Sequence, residues 1–209
     1  MILAKKDYYL VAFIGFCFGL FLIPVLANID IGISLSALVL SELIVASVLF
    51  AVLALWIAGL IAKKIPVILQ LAKFAAVGVF NTLLDAAVLN VLIYLTAIAT
   101  GFGFAAFKGV SFIMANIASY FWNRHWTFKV SGKATTGEFG KFFGVSVVGF
   151  LINIGAASLI VSAIGAPAGV SLERWANVGF IVATLASLAW NFVGYKFFVF
   201  ISKKGTSGT

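Results

Sequence analysis

The sequence predicts an all-α polytopic membrane protein with six transmembrane helices, the last four forming two parallel two-helix repeats, and both termini in the cytoplasm. Three observations predict this. Of 209 residues, 64% are hydrophobic and only 10% charged, with a mean hydropathy of +1.20, a balance foreign to soluble domains. Six stretches, 8–27, 34–61, 74–97, 105–123, 142–164 and 176–199, reach the length of about 20 apolar residues that a span needs. The basic residues fall almost wholly on one side of that plan.

The first span follows Lys5 and Lys6, and Val25-Leu26-Ala27 resembles a weak cleavage site. The segment is nevertheless expected to be retained as a helix rather than removed as a signal peptide. With the second span it forms a leading hairpin, residues 1–65, that ends at Lys63-Lys64-Ile65-Pro66, where Pro66 is expected to stop the helix. Residues 66–204 form a four-helix membrane domain, and 205–209 is a patternless tail compatible with an expression artefact.

The net charge is +8. Lys5, Lys6, Lys63, Lys64, Lys73, Arg124, Lys129, Lys133, Lys141, Lys196, Lys203 and Lys204 lie on one side, and only Lys108 and Arg174 on the other. The positive-inside rule makes the richer side cytoplasmic, where it faces anionic lipid headgroups. Nucleic acid is not an expected partner, because these charges are tied to helix ends beside the bilayer. The single cysteine, Cys17, excludes an intrachain disulfide and a cysteine-based metal cluster, and the single histidine excludes a His-rich one. No cofactor is implied.

Shifting the chain by 68 residues aligns it with itself without a gap. Lys73-Phe74 falls on Lys141-Phe142, Ala118-Ser119 on Ala186-Ser187, and Trp122-Asn123 on Trp190-Asn191. The repeats, about 70–131 and 138–200, each hold two spans, so both enter and leave on the same side and are parallel rather than inverted.

Polar residues inside the spans recur at helical spacing: Gly78, Thr82 and Asp85, with Asn81 beside them; Asn116, Ser119 and Asn123; Ser146, Gly149, Asn153 and Ala157; Asn177, Thr184, Ser187 and Asn191. Across the repeat, Asp85 corresponds to Asn153 and Asn123 to Asn191. Such residues serve either as interhelical packing and hydrogen-bonding contacts or as the lining of a wet path. Counted from Phe74, Asp85 lies about 18 Å into its helix, near mid-bilayer. No basic residue shares that depth, so its expected partner is an amide, water or a proton. Glu42, the other intramembrane acid, suits either interhelical bonding or function.

At the cytoplasmic edge Lys73 and Lys141 open the repeats, and Arg124 and Lys196 close them. Arg grips phosphate bidentately and Lys acts as a point charge. Trp122, Trp126, Trp190 and Tyr195 stand beside them, and aromatic faces suit the apolar C–H groups of sugar rings. Basic and aromatic residues at helix ends are also ordinary interface anchors, and His125 fits that role. The density of Asn123-Arg124-His125-Trp126 exceeds what anchoring requires.

Three segments carry a family resemblance: Lys-Phe-Ala-Ala-Val-Gly-Val-Phe-Asn-Thr-Leu-Leu-Asp (73–85), Ala-Asn-Ile-Ala-Ser-Tyr-Phe-Trp-Asn-Arg-His-Trp-Thr-Phe (115–128) and Trp-Asn-Phe-Val-Gly-Tyr-Lys-Phe-Phe-Val-Phe (190–200). In their order, spacing and four-span plan, residues 70–204 resemble the GtrA-like family. The hairpin 1–65 is additional to the usual four-span size. The resemblance implies movement of a polyprenyl-phosphate-linked sugar across the inner, cytoplasmic membrane for envelope polysaccharide glycosylation, beside a membrane glycosyltransferase partner.

On that basis the chain is expected to be a flippase and not an enzyme. Arg124, Lys73, Lys141 and Lys196 would hold the phosphate. Trp122, Trp126, Trp190, Asn123 and Asn191 would contact the sugar. Asp85, Asn81, Thr82, Asn116, Ser119, Asn153 and Ser187 would form the polar lane, while the polyprenyl tail stays in the lipid bilayer. A homo-oligomer is compatible with so small a bundle. Two other readings stay open: a scaffold that recruits or activates the glycosyltransferase, and a small ion or metabolite transporter centred on Asp85 and Glu42.

Overall fold

A computed structural model describes residues 3–28 and 36–201. Lys203, Lys204, the tail 205–209 and the first residues of the expected second span lie outside the described residues. Within them the chain is all-helical, with six helices long and apolar enough to cross a membrane. It divides into two compact units, Met1–Lys129 and Val130–Thr209.

The first unit holds α1 (Lys5–Asn28), α2 (Ala37–Ile61), α3 (Val67–Thr96) and α4 (Gly101–Trp122), which runs on into a π-turn, Asn123–Thr127. Ser36 caps α2, its Oγ accepting from the Val39 amide at 3.3 Å. The α1–α2 hairpin closes over Gly15 and Gly19, a Gly-x-x-x-Gly pair. A Cβ on Gly15 would lie 2.8 Å from Ser47 O and the Val48 Cα, and one on Gly19 2.7 Å from the Ile44 Cα. Backbones can approach this closely only where the side chain is absent. The core of the unit sits among Val11, Ile14 and Cys17 of α1, Leu55 of α2, Leu69, Val77 and Phe80 of α3, and Trp126. The hairpin is therefore packed into this unit through α3.

α3 begins seven residues before the predicted span. Pro66 stands at its N-cap, where the missing N–H costs nothing, so it starts α3 instead of merely ending α2. α3 ends at Ala97, which adopts the left-handed conformation (φ 57°) with its amide bonded to Ile93 O at 2.7 Å.

The second unit holds α5 (Thr136–Ser158), extended by a π-helical segment (Leu159–Ile164), and α6 (Leu172–Gly194), extended by a π-turn (Tyr195–Val199). α5 starts six residues before the predicted span because the Thr135 hydroxyl accepts from the Glu138 amide at 3.1 Å. α6 likewise starts at a Ser171 cap. The helices pack where glycine admits them: a Cβ on Gly149 would collide with the Asn191 amide, and one on Gly194 would lie 2.5 Å from Val145. One end of the unit is closed by stacked Phe142 and Tyr195, ring centroids 4.3 Å apart, with Phe200 against both.

Candidate functional site

Asparagine and threonine are poor residues for a helix interior, yet α4 ends in them. Its last turn widens into the π-turn Asn123–Thr127, where Phe128 N bonds Asn123 O at 2.8 Å. The surplus residue of such a turn changes which side chains face inward, and such turns concentrate at functional sites. Here Asn123, Arg124, Trp126 and Thr127 are all buried, and only His125 is exposed. The His125 ring stacks along Phe121 and lies within 3.4 Å of the Arg124 guanidinium.

Asp7 brings this turn, α3 and α1 together. Its Oδ1 accepts from Lys73 Nζ at 2.5 Å and from Trp126 Nε1 at 2.9 Å, and its Oδ2 accepts from Ala4 N at 3.0 Å. The Lys73 ammonium also lies 5.5 Å from the Trp126 ring centroid. Lys73 is 0% exposed and Asp7 3%. Lys73 was expected to stand open at headgroup level; instead α1 covers it and matches its charge. Trp126 is equally enclosed, and Trp122 packs against Phe13, Phe80 and Trp126. Both rings serve as packing in this structure.

Along α4 and its π-turn runs a column of buried polar groups, Ser111, Asn116, Ser119 and Asn123, joined at one end by Asp85 of α3. Asn123 Nδ2 donates to Ser119 O at 3.0 Å and to Ser119 Oγ at 3.2 Å. Asn116 Nδ2 donates to Phe112 O. Three oxygens of this unit, Asn81 Oδ1, Asn123 Oδ1 and Thr127 Oγ1, are buried without a hydrogen-bond partner. The Asn123 orientation is fixed, because only its NH₂ can face the Ser119 carbonyl. Thr82 stands apart: it is exposed, and its hydroxyl bonds back to Gly78 O at 3.1 Å.

At the far end of the column Asp85 pairs with Lys108, and Ser111 Oγ donates to Asp85 Oδ1 at 2.6 Å. This corrects the expectation that Asp85 has no basic partner. Because α3 starts at Val67, Asp85 lies about 27 Å along it, past the midpoint, and Lys108, seven residues into α4, comes within reach. Lys108 and Ser111 were the residues that spacing alone missed.

In the second unit Lys141 is exposed, and Lys196 is half-buried over the Phe192 and Phe197 rings at 5.5 and 5.6 Å. Each is next in sequence to one ring of the Phe142–Tyr195 stack. Ser146 Oγ and Tyr195 Oη lie 2.6 Å apart. Trp190 is partly exposed, its Nε1 donating to Val145 O at 3.1 Å. Asn191 Oδ1 is buried without a partner, against Gly149. Asn153 is half-buried, and Ser187 Oγ bonds Thr184 O at 3.1 Å. Glu42, on α2, is exposed.

Residues 73–200 match the family described as GtrA/DPMS, transmembrane domain. The chain belongs to this family. The GtrA/DPMS domain thus opens at Lys73 and closes at Phe200, and α1 and α2 precede it. The chain is also similar to the uncharacterized membrane protein YngA of Bacillus subtilis (strain 168). The two are 33% identical over 132 residues, covering 62% of this chain and 78% of the relative. No solved structure was found to match. Of the carboxylate cluster at the domain's edge, Lys73 and Trp126 belong to the GtrA/DPMS domain, whereas Asp7 comes from the added hairpin.

Proposed function

We propose that this multi-pass membrane protein translocates a polyprenyl-phosphate-linked monosaccharide across the cytoplasmic membrane, supplying envelope polysaccharide glycosylation. The observation that carries the reading is membership, over residues 73–200, in a family associated with polyprenyl-linked sugar translocation. The geometry supplies a chemical reason. A sugar presents many hydroxyl donors, and α3 and the π-turn after α4 hold buried acceptors that lack donors, at Asn81, Asn123 and Thr127. An unpaired buried acceptor is costly, so a passing hydroxyl or water gains what the protein itself leaves unmade.

The lane runs from Asn123 past Ser119, Asn116 and Asn81 to the Asp85–Lys108–Ser111 cluster, with Asn153, Ser187 and Asn191 as its counterpart in α5 and α6. Of the four basic residues expected at the phosphate, the two that hold it at the cytoplasmic edge are those the fold does not bury, exposed Lys141 and half-buried Lys196. Arg124 and Trp126 wall the first repeat, and Trp190 is the ring available to the sugar. The protein carries no catalytic step. Its partner is a membrane glycosyltransferase that makes the lipid-linked sugar, and both termini face that partner in the cytoplasm.

Residues 66–204 act as two parallel copies of one unit. In support, Phe74 meets Phe128 edge-on at 6.5 Å and Phe142 meets Phe200 at 6.0 Å. The opening phenylalanines are 68 residues apart and the closing ones 72. The π-turns that start at Asn123 and Tyr195 are also 72 apart, so the second copy has gained one helical turn before its end.

The test is a sidedness assay in proteoliposomes carrying a symmetrically distributed polyprenyl-phosphate sugar. Protein-dependent exposure of inner-leaflet lipid to an impermeant probe supports translocation. An unchanged rate, with tight binding to the glycosyltransferase, points to a scaffold instead.

A further inference from the structure

We infer that Asp7 is a built-in occupant of the first repeat's anion site, so that the chain offers one lipid-phosphate site, at Lys141 and Lys196, instead of two. The inference rests on the headgroup reading above. Its starting point is the donor set around Asp7. An ammonium, an indole N–H and a backbone amide converge on one carboxylate: Lys73 at 2.5 Å, Trp126 at 2.9 Å and Ala4 N at 3.0 Å. Such a set of charged and neutral donors would equally suit a phosphate oxygen. Two of the three donors lie in the family domain, and the anion that satisfies them arrives on α1, outside it. Lys73 has no exposed surface left, so no headgroup reaches it while α1 is seated.

The second repeat has the matching lysine without the matching acid. Lys141, 68 residues after Lys73, is exposed, and among the described residues neither it nor Lys196 has a carboxylate within ion-pair distance. Each is next in sequence to one ring of the Phe142–Tyr195 stack. The added hairpin thus makes a two-fold repeated sequence chemically one-sided.

The experiment titrates farnesyl phosphate into the detergent-purified full chain and reads stoichiometry and affinity by calorimetry. The wild type is expected to bind one per chain. Asp7→Asn/Lys73→Met, which removes both buried charges together, is expected to bind one with affinity within about twofold. Lys141→Ala/Lys196→Ala, at positions the fold leaves accessible, is expected to lose at least about tenfold in affinity. Two sites in the wild type, falling to one in Asp7→Asn/Lys73→Met, would overturn the inference. So would binding lost in Asp7→Asn/Lys73→Met and kept in Lys141→Ala/Lys196→Ala; the headgroup reading survives either result. No binding by any form removes the headgroup reading, and this inference with it.

Discussion

Lys108 of α4 is ion-paired with Asp85 of α3, two charges that each would be expensive alone in a membrane span. Ser111 holds the other carboxylate oxygen, so the acid is oriented as well as neutralised. The pair is partly exposed, which reduces its worth. A double-mutant cycle on Asp85→Asn and Lys108→Met, read by thermal unfolding in detergent, is expected to show coupling on the order of 1 kcal/mol. Additive effects would mean the two charges do not act as a unit.

Asp7 and Lys73 are far more enclosed. Asp7→Asn leaves a buried ammonium with no counter-charge and is expected to cost about 3–5 kcal/mol. Asp7→Asn/Lys73→Met should recover most of that loss. Melting temperatures of the two variants check this; equal destabilisation would show that the loss does not come from an orphaned ammonium.

Thr127 offers a separation of stability from function. Its hydroxyl is fully buried and unpartnered. Thr127→Val keeps the shape and removes the orphan, so stability should stay level or rise by about 1 kcal/mol. If the hydroxyl serves the passing sugar, translocation in proteoliposomes should fall at the same time. A variant that is more stable and transports normally would take Thr127 out of the lane.

Among the described glycines of the second unit, Gly149 leaves the least room: a Cβ there would collide with Asn191 Oδ1. Gly149→Ala is expected to destabilise by about 1–3 kcal/mol through overpacking, and Gly149→Ala/Asn191→Ala to relieve it. Unfolding measurements on the pair distinguish a steric clash from a general loss of helix packing, which the second change would not repair.

The six helices were legible because apolar length alone announces a span, and the family because its motifs lie within continuous segments. Helix starts were less legible. Hydropathy marks where the lipid begins, whereas Pro66, Thr135 and Ser171 mark where the backbone ladder begins, and α3 and α5 therefore start six or seven residues early. That offset misplaced Asp85 and concealed Lys108. Asp7 lay just outside the span read as 8–27, and its partners are remote in sequence, so no local pattern could connect them. The Gly15-x-x-x-Gly19 pair was present as a readable packing signal but was absorbed into a uniformly apolar run. The burial of Lys73 and Trp126 could not be read from their own repeat, since the covering helix lies outside it.

The side-chain donors to Asp7 arrive 66 and 119 residues after it. A ribosome building this chain therefore releases α1 into the bilayer with its carboxylate met only by the Ala4 amide. The first counter-charge emerges only with α3, and the indole only after α4 is complete. The hairpin lacks one or both of these side-chain bonds while the nascent chain is shorter than that. A chain truncated between Lys73 and Trp126 would keep the ion pair and lose only the indole bond.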